Sequence, residues 1–166
     1  MTDDKIMLRD THNADSRTAD HAFTMDNLKE ATKIHIEEVG AVMDYFASKL
    51  HEAGRIHDWT KMYNFEESYG PLVMSGVTDD KFKADPWYST HIFTERHHLN
   101  DDAKVDANLL DVLEMIADVV TAGKGRSGHL TSKFMDIDPM LLYRCFWNTI
   151  KMVDDITYLE TEDNEQ

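Results

Sequence analysis

Along most of the chain apolar residues recur at the three- and four-residue spacing of a helix rather than at the two-residue spacing of a strand. From Asp26, an N-cap residue type, to Ala53, the positions Leu28, His35, Val39, Val42, Phe46 and Leu50 fall in one stripe at about 100° per residue, with Gly54 as the expected stop. His35 then sits in the middle of an apolar face. Residues 55–76 read as the end of that helix or as a short one broken at Gly70-Pro71. Asp85-Pro86 reads as the N-cap and first-turn proline of a helix through WYSTHIFTERHHL, which puts His91, Glu95 and His98 on a shared face. A further helix is expected from Asp106 or Asn108 to Ala122, ended by Gly123. Its apolar stripe is Leu109, Leu113, Ile116 and Val120, with Asp111, Glu114 and Asp118 on the other side. GKGRSGHLTSK reads as a glycine-rich basic loop, and Asp138-Pro139 opens a last helix. No internal repeat and few strand-like alternations appear, so the pattern predicts an all-α protein, a compact helical bundle. Residues 1–23 are polar without an apolar period and read as a flexible arm, 24–160 as one helical domain and 161–166 as an acidic tail.

Charge narrows the partners. Seventeen Lys and Arg against 32 Asp and Glu give a formal net charge of −15 over 166 residues, a surface that repels the phosphates of DNA or RNA and argues against general nucleic-acid binding. A small phosphorylated ligand stays compatible, because a bound divalent cation inverts the local field of one pocket. The single cysteine, Cys145, rules out an internal disulfide, and no leader-like or membrane-spanning stretch stands out, so a soluble cytoplasmic protein is expected.

Nine histidines are the chemical signal. Imidazole nitrogen combined with carboxylate oxygen suits a divalent transition metal such as Zn, Mn, Fe or Co. The adjacent pair His57-Asp58, with His35 one helix earlier and an acidic helix later, offers four ligands from three helices. Each also has a plainer reading: a histidine on an apolar stripe is commonly a hydrogen-bonded core residue, and carboxylates opposite a stripe are commonly solvated. His91, His97 and His98 read equally as surface residues, as ligands of a second metal, or as phosphate contacts. Lys124 and Arg126 in GKGRSG lack the phosphate-loop spacing and follow a helix; they are candidate phosphate contacts or complements to the helix dipole.

The order His35, then HDWTK, then a distant Asp118 resembles the HD-domain metal-dependent phosphohydrolase superfamily, a helical fold, and HDWTK is similar to its HD-x-x-K motif. HIFTERHHLN followed by DVLEMIADVVTAG is similar to a small HD-like family of phages and bacteria; together the motifs cover roughly residues 28 to 123. The resemblance implies that His35, His57, Asp58 and Asp118 hold one or two transition-metal ions, with Asp111 and Glu114 competing with Asp118 for the fourth position. It implies hydrolysis of a small phosphorylated substrate, most commonly a nucleotide or deoxynucleotide, by a metal-activated water, in a protein that is often a homodimer. Asp58 then orients the nucleophile, Lys61 neutralises phosphate charge with His97 and His98 beside it, and Glu66 or Glu67 is the candidate acid/base.

Two other readings compete. An all-α, Mg-dependent nucleoside-triphosphate pyrophosphatase of the MazG type pairs carboxylates on helices, which Glu37, Glu38, Glu114 and Asp118 approximate while leaving His57-Asp58 without a role. A non-enzymatic acidic helical protein would use the charge of −15 to bind or inhibit a basic partner.

Overall fold

The computed structural model describes residues 5–9, 24–99, 104–129 and 137–160. The protein is all-α apart from one short two-stranded sheet. The elements are β1 (Ile6–Arg9), α1 (Met25–Ile56), α2 (Trp59–Met62), α3 (Tyr69–Met74), α4 (Asp79–Lys83), α5 (Pro86–Thr94), α6 (Leu109–Ser127), α7 (Pro139–Ile156) and β2 (Thr157–Glu160). No helix among the described residues is long and apolar enough to cross a membrane.

The chain forms two compact units, one within residues 1–49 and 150–166, the other within residues 50–149. In the first, β1 and β2 pair in parallel with Ile6 opposite Thr157 and Arg9 opposite Glu160. Ile6–Arg9 of the expected arm is therefore a strand; residues 1–4 and 10–23 and the 161–166 tail lie outside the described residues. Arg9 ties β1 to α1, its backbone N–H donating to Glu38 Oε1 (2.9 Å) and its guanidinium to Glu37 Oε2 (2.8 Å). The face of α1 that is buried carries Ala31 and Ile34, and His35 is exposed beside them.

The second unit carries the chemistry. Its core is Leu99, Ala107, Val112, Met115, Leu141 and Cys145. The local signals at the helix starts act as expected. Asp85 accepts the Trp87 N–H (2.8 Å) with Pro86 in the first turn. Asn108, not Asp106, caps α6: its Oδ1 accepts the Leu110 N–H (2.8 Å) while Asp111 Oδ2 accepts the Asn108 N–H (2.9 Å), a reciprocal capping box. Two stops differ. Gly54 stays helical, and α1 ends at Ile56; α6 runs on through Lys124 and Arg126 to Ser127, so the first part of the expected basic loop is helix. The residue that ends α6 is Gly128, left-handed at φ 73°. Gly70 is fixed by close approach instead, since a Cβ there would stand 2.8 Å from the Phe65 carbonyl oxygen.

The inward face of α6 also differs from the apolar stripe. Asp111, Val112 and Met115 are buried, whereas Leu113 and Ile116 are about half exposed, at 48% and 49%. The cause is Arg96. Its guanidinium donates from Nε and Nη2 to the two Asp111 oxygens, each at 2.8 Å, and from Nη1 to Asp106 Oδ2 at 3.1 Å. A planar fork meeting a carboxylate offsets the cost of burying Asp111 and turns the acidic side of the helix inward. The Asp111 bonds hold the Arg96 guanidinium above its usual range against the opposing effect of burial. Asp111→Ala removes the fork and half of the capping box together; about 2–3 kcal/mol of stability should be lost, read as a lower urea midpoint at unchanged m-value.

A candidate metal centre

The site grows from the turn between α1 and α2. Asp58 adopts a left-handed conformation (φ 55°) between His57 and Trp59 and is only 17% exposed at its side chain. Aspartate tolerates this region better than most residues. Four imidazoles surround its carboxylate. His57 Nε2 lies 3.4 Å from Oδ2, while His91 Nε2 and His97 Nε2 lie 3.5 and 3.7 Å from Oδ1. His98 Nε2 is 2.9 Å from His91 Nε2. Among the described residues two groups could each hold a cation: His57, Asp58 and His97, and Asp58, His91 and His98. Asp58 belongs to both. Asp118 Oδ1 stands 3.7 Å from His57 Nε2, next to the first group.

Second carboxylates fix which ring nitrogen faces inward. Glu114 Oε1 accepts from His57 Nδ1–H at 2.8 Å and lies 3.1 Å from His97 Nδ1. Burial pushes the Glu114 carboxyl up, but its contacts with His97 and His57 outweigh that and hold it below the ordinary range. An ionised carboxylate only accepts, so His57 carries its proton on Nδ1, and Nε2 is left to face Asp58. The same logic acts at His91. The Thr60 hydroxyl has one proton, donated to Glu95 Oε1 (2.5 Å), so its oxygen accepts from His91 Nδ1–H at 2.6 Å. The Thr60 backbone N–H also donates to Glu95 Oε1 (2.9 Å), and the Trp87 ring stacks on His91 with centroids 5.0 Å apart. Burial, then the neighbouring His98, pushes His91 down to about 4. Burial and His97 push His98 to about 4 as well. Both rings are therefore neutral at neutral pH, the form that ligates a metal.

Buried groups left over test whether a cation fits. Asp58 Oδ1 and both ring nitrogens of His97 are buried without a completed hydrogen bond, and His97 is 1% exposed. Buried polar atoms normally have partners. A divalent cation satisfies Oδ1 and an imidazole nitrogen at once, and the mixed N/O donor set suits Zn, Mn, Fe or Co. Asp58 itself is pushed up by burial but held below its ordinary range by the Lys61 ammonium hydrogen-bonded to Oδ2, with His57 and His91 adding to the effect.

Burial lowers His97, yet the contact with Glu114 and the charges of Glu114, Asp58 and Asp118 outweigh it and raise it above the ordinary histidine value. A ligating metal must displace that proton. Metal affinity should therefore rise as pH climbs through the range in which His97 gives up that proton, with proton release visible as a buffer-dependent binding enthalpy. The metal-free protein goes the other way. A raised folded-state pKa contributes stability below the unfolded value and loses it as pH climbs through the folded one.

Of the residues singled out in the sequence, the fold brings together His57, Asp58, Lys61, His91, His97, His98, Glu114 and Asp118. The other candidates have different surroundings. His35 belongs to the first unit, exposed on α1, and neither candidate group includes it. Glu66 and Glu67 are exposed in the turn between α2 and α3, Lys124 and Arg126 are exposed in the last turns of α6, and Asp111 is committed to Arg96. Glu37 and Glu38 contact Arg9 in the first unit, and Glu114 contacts two histidines, which gives the pyrophosphatase carboxylate pattern no shared site within either unit. The sequence carries no signal for Thr60, and for Glu95 only its i, i+4 spacing from His91. Glu114, weighed there as a rival fourth ligand, instead meets the Nδ1 side of His57 and His97.

Beside the cluster, a groove of about 370 Å³ is lined by Leu50, Ala53 and Gly54 of α1, Leu113, Ala117 and Thr121 of α6, and by His57, Glu114 and Asp118. Comparison with protein-family models, curated proteins and solved structures returned no match.

Proposed function

We propose that the second unit is a metal-dependent phosphohydrolase centre that cleaves a small phosphorylated substrate, of nucleotide or deoxynucleotide type by the HD-like motif. The observation that carries the reading is one carboxylate, Asp58, shared by two histidine groups, with its Oδ1 buried and without a hydrogen bond. His57, His97, Asp58 and Asp118 would hold one divalent ion, and His91, His98 and Asp58 a second. Such ions polarise a phosphoryl oxygen and lower the pKa of a bound water to near neutrality. The chain's own groups do the rest. Glu114 and the Thr60–Glu95 pair keep the imidazole lone pairs aimed at Asp58. Lys61 pairs with Asp58 and is the cation placed to meet phosphate charge.

The test is elemental analysis of tag-free protein followed by turnover. Protein incubated with Zn, Mn, Fe or Co should retain one to two equivalents and release inorganic phosphate, not pyrophosphate, from phosphorylated nucleotides. Chelation should abolish release, and adding the metal back should restore it. Protein that retains no metal after all four incubations rules the reading out.

A further inference from the structure

We infer that the groove beside the histidine cluster receives the organic body of a phosphomonoester, and that this body is uncharged and largely apolar. The inference rests on the phosphohydrolase reading for what lies at the cluster, but the groove's own lining carries it. Ala53, Gly54 and Ala117 are too small to fill the space between Leu50 and Leu113. The resulting volume, about 370 Å³, is at the small end of the roughly 300–1,000 Å³ of ligand pockets. Continuity sets what occupies it. His57, Glu114 and Asp118 line the groove and also stand in or against the metal-holding groups, so one molecule with its phosphoryl group at the cluster has its body here.

Charge then limits the body. The lining holds two carboxylates and no lysine or arginine, so further phosphates extending along it would meet like charge. A monoester fits this lining and a triphosphate does not. Hydrogen bonding limits it again. The Thr121 hydroxyl points back to its own helix, toward the carbonyls of Ala117 (2.9 Å) and Asp118 (3.2 Å), and the helical backbone is already paired. The walls therefore offer little to read the edge of a nucleobase. They select by shape and apolar contact, so a flat ring of any base is accepted.

The test uses the metal-loaded full chain and non-hydrolysable probes, methylphosphonate and 1-naphthylmethylphosphonate, by titration calorimetry. The naphthyl probe should bind at least about tenfold tighter, a difference of about 1.4 kcal/mol, which roughly 60 Å² of buried apolar surface supplies. Gly54→Leu and Ala117→Leu each fill the groove. A Cβ at Gly54 meets nothing within 4 Å, and leucine is the better helix former, so folding is not at risk there. Each variant should erase most of the preference while metal content is retained. The 5′-phosphonate analogue of thymidine monophosphate should also bind tighter than a non-hydrolysable imido analogue of the triphosphate. Equal binding of the two phosphonates, a preference that survives in both variants, or tighter triphosphate binding overturns the inference. Turnover of 1-naphthyl phosphate separates the two readings: preference without turnover removes the hydrolase reading alone, and turnover without preference removes the groove alone.

Discussion

Asp58→Asn is expected to give a folded protein that retains no transition metal and releases no phosphate. The substitution is close to isosteric, and asparagine occupies the left-handed region as readily as aspartate, so the φ of 55° at this turn is kept. What changes is charge. Asp58 is the one residue common to both candidate groups, and its carboxylate faces the Nε2 atoms of His57, His91 and His97 at 3.4, 3.5 and 3.7 Å. An amide oxygen is a weak ligand for Zn, Mn, Fe or Co, and an amide nitrogen is none. The loss should thus exceed the roughly 10- to 100-fold range typical of an outer partner of a ligand. Elemental analysis beside far-ultraviolet circular dichroism decides it: a helical variant with undiminished metal would show that Asp58 is not a ligand.

The second large effect is expected at Glu114→Gln, where metal affinity should fall about 10- to 100-fold with the fold retained. Glu114 contacts the Nδ1 side of His57 and His97, 2.8 and 3.1 Å away, and its acceptor-only state is what keeps their Nε2 atoms turned to Asp58. Glutamine has one acceptor and one donor group on the same stem. It can hold one ring as before while offering an N–H to the other, which favours the wrong tautomer there. Asp111→Ala, one turn earlier on α6, is the contrast: it should lower the urea midpoint without a comparable change in affinity per folded molecule. Competition against a chelating indicator measures the first effect and denaturation the second. Were Glu114→Gln to bind metal as the parent does, the carboxylate would be a neighbour of the site without influence on it.

These two positions also show where legibility stopped. HDWTK announces its own chemistry, because a histidine and an aspartate adjacent at a helix boundary are a recognisable ligand pair, and both lie in the cluster. The helices opened by Asp85-Pro86, Asn108 and Asp138-Pro139 were legible for an equally local reason: the capping group and the freed backbone N–H are within three residues of each other. His35 was misleading. Membership of an apolar stripe suggested burial, yet His35 is exposed while Leu28, Val42, Phe46 and Leu50 of the same stripe are half-buried. β1 and β2 escaped notice because four residues are too few for alternation to register, and each is completed only by a strand some 150 positions away, Ile6 opposite Thr157.

What the sequence determined by itself is therefore the helical class, most helix starts, and the inventory of imidazoles and carboxylates from which a metal centre can be built. These follow from spacing and from bonds that close within a turn. Tertiary structure decided which members of that inventory meet. Helical periodicity placed Asp111, Glu114 and Asp118 on one side but, weighing apolar against polar, sent that side to solvent. Arg96 reversed the outcome by forking Asp111 from 15 residues upstream, and with that side turned inward Glu114 reaches His57 and His97. A charge is buried only when a specific partner offsets its desolvation. That partner is remote in sequence, and only the folded chain brings it near.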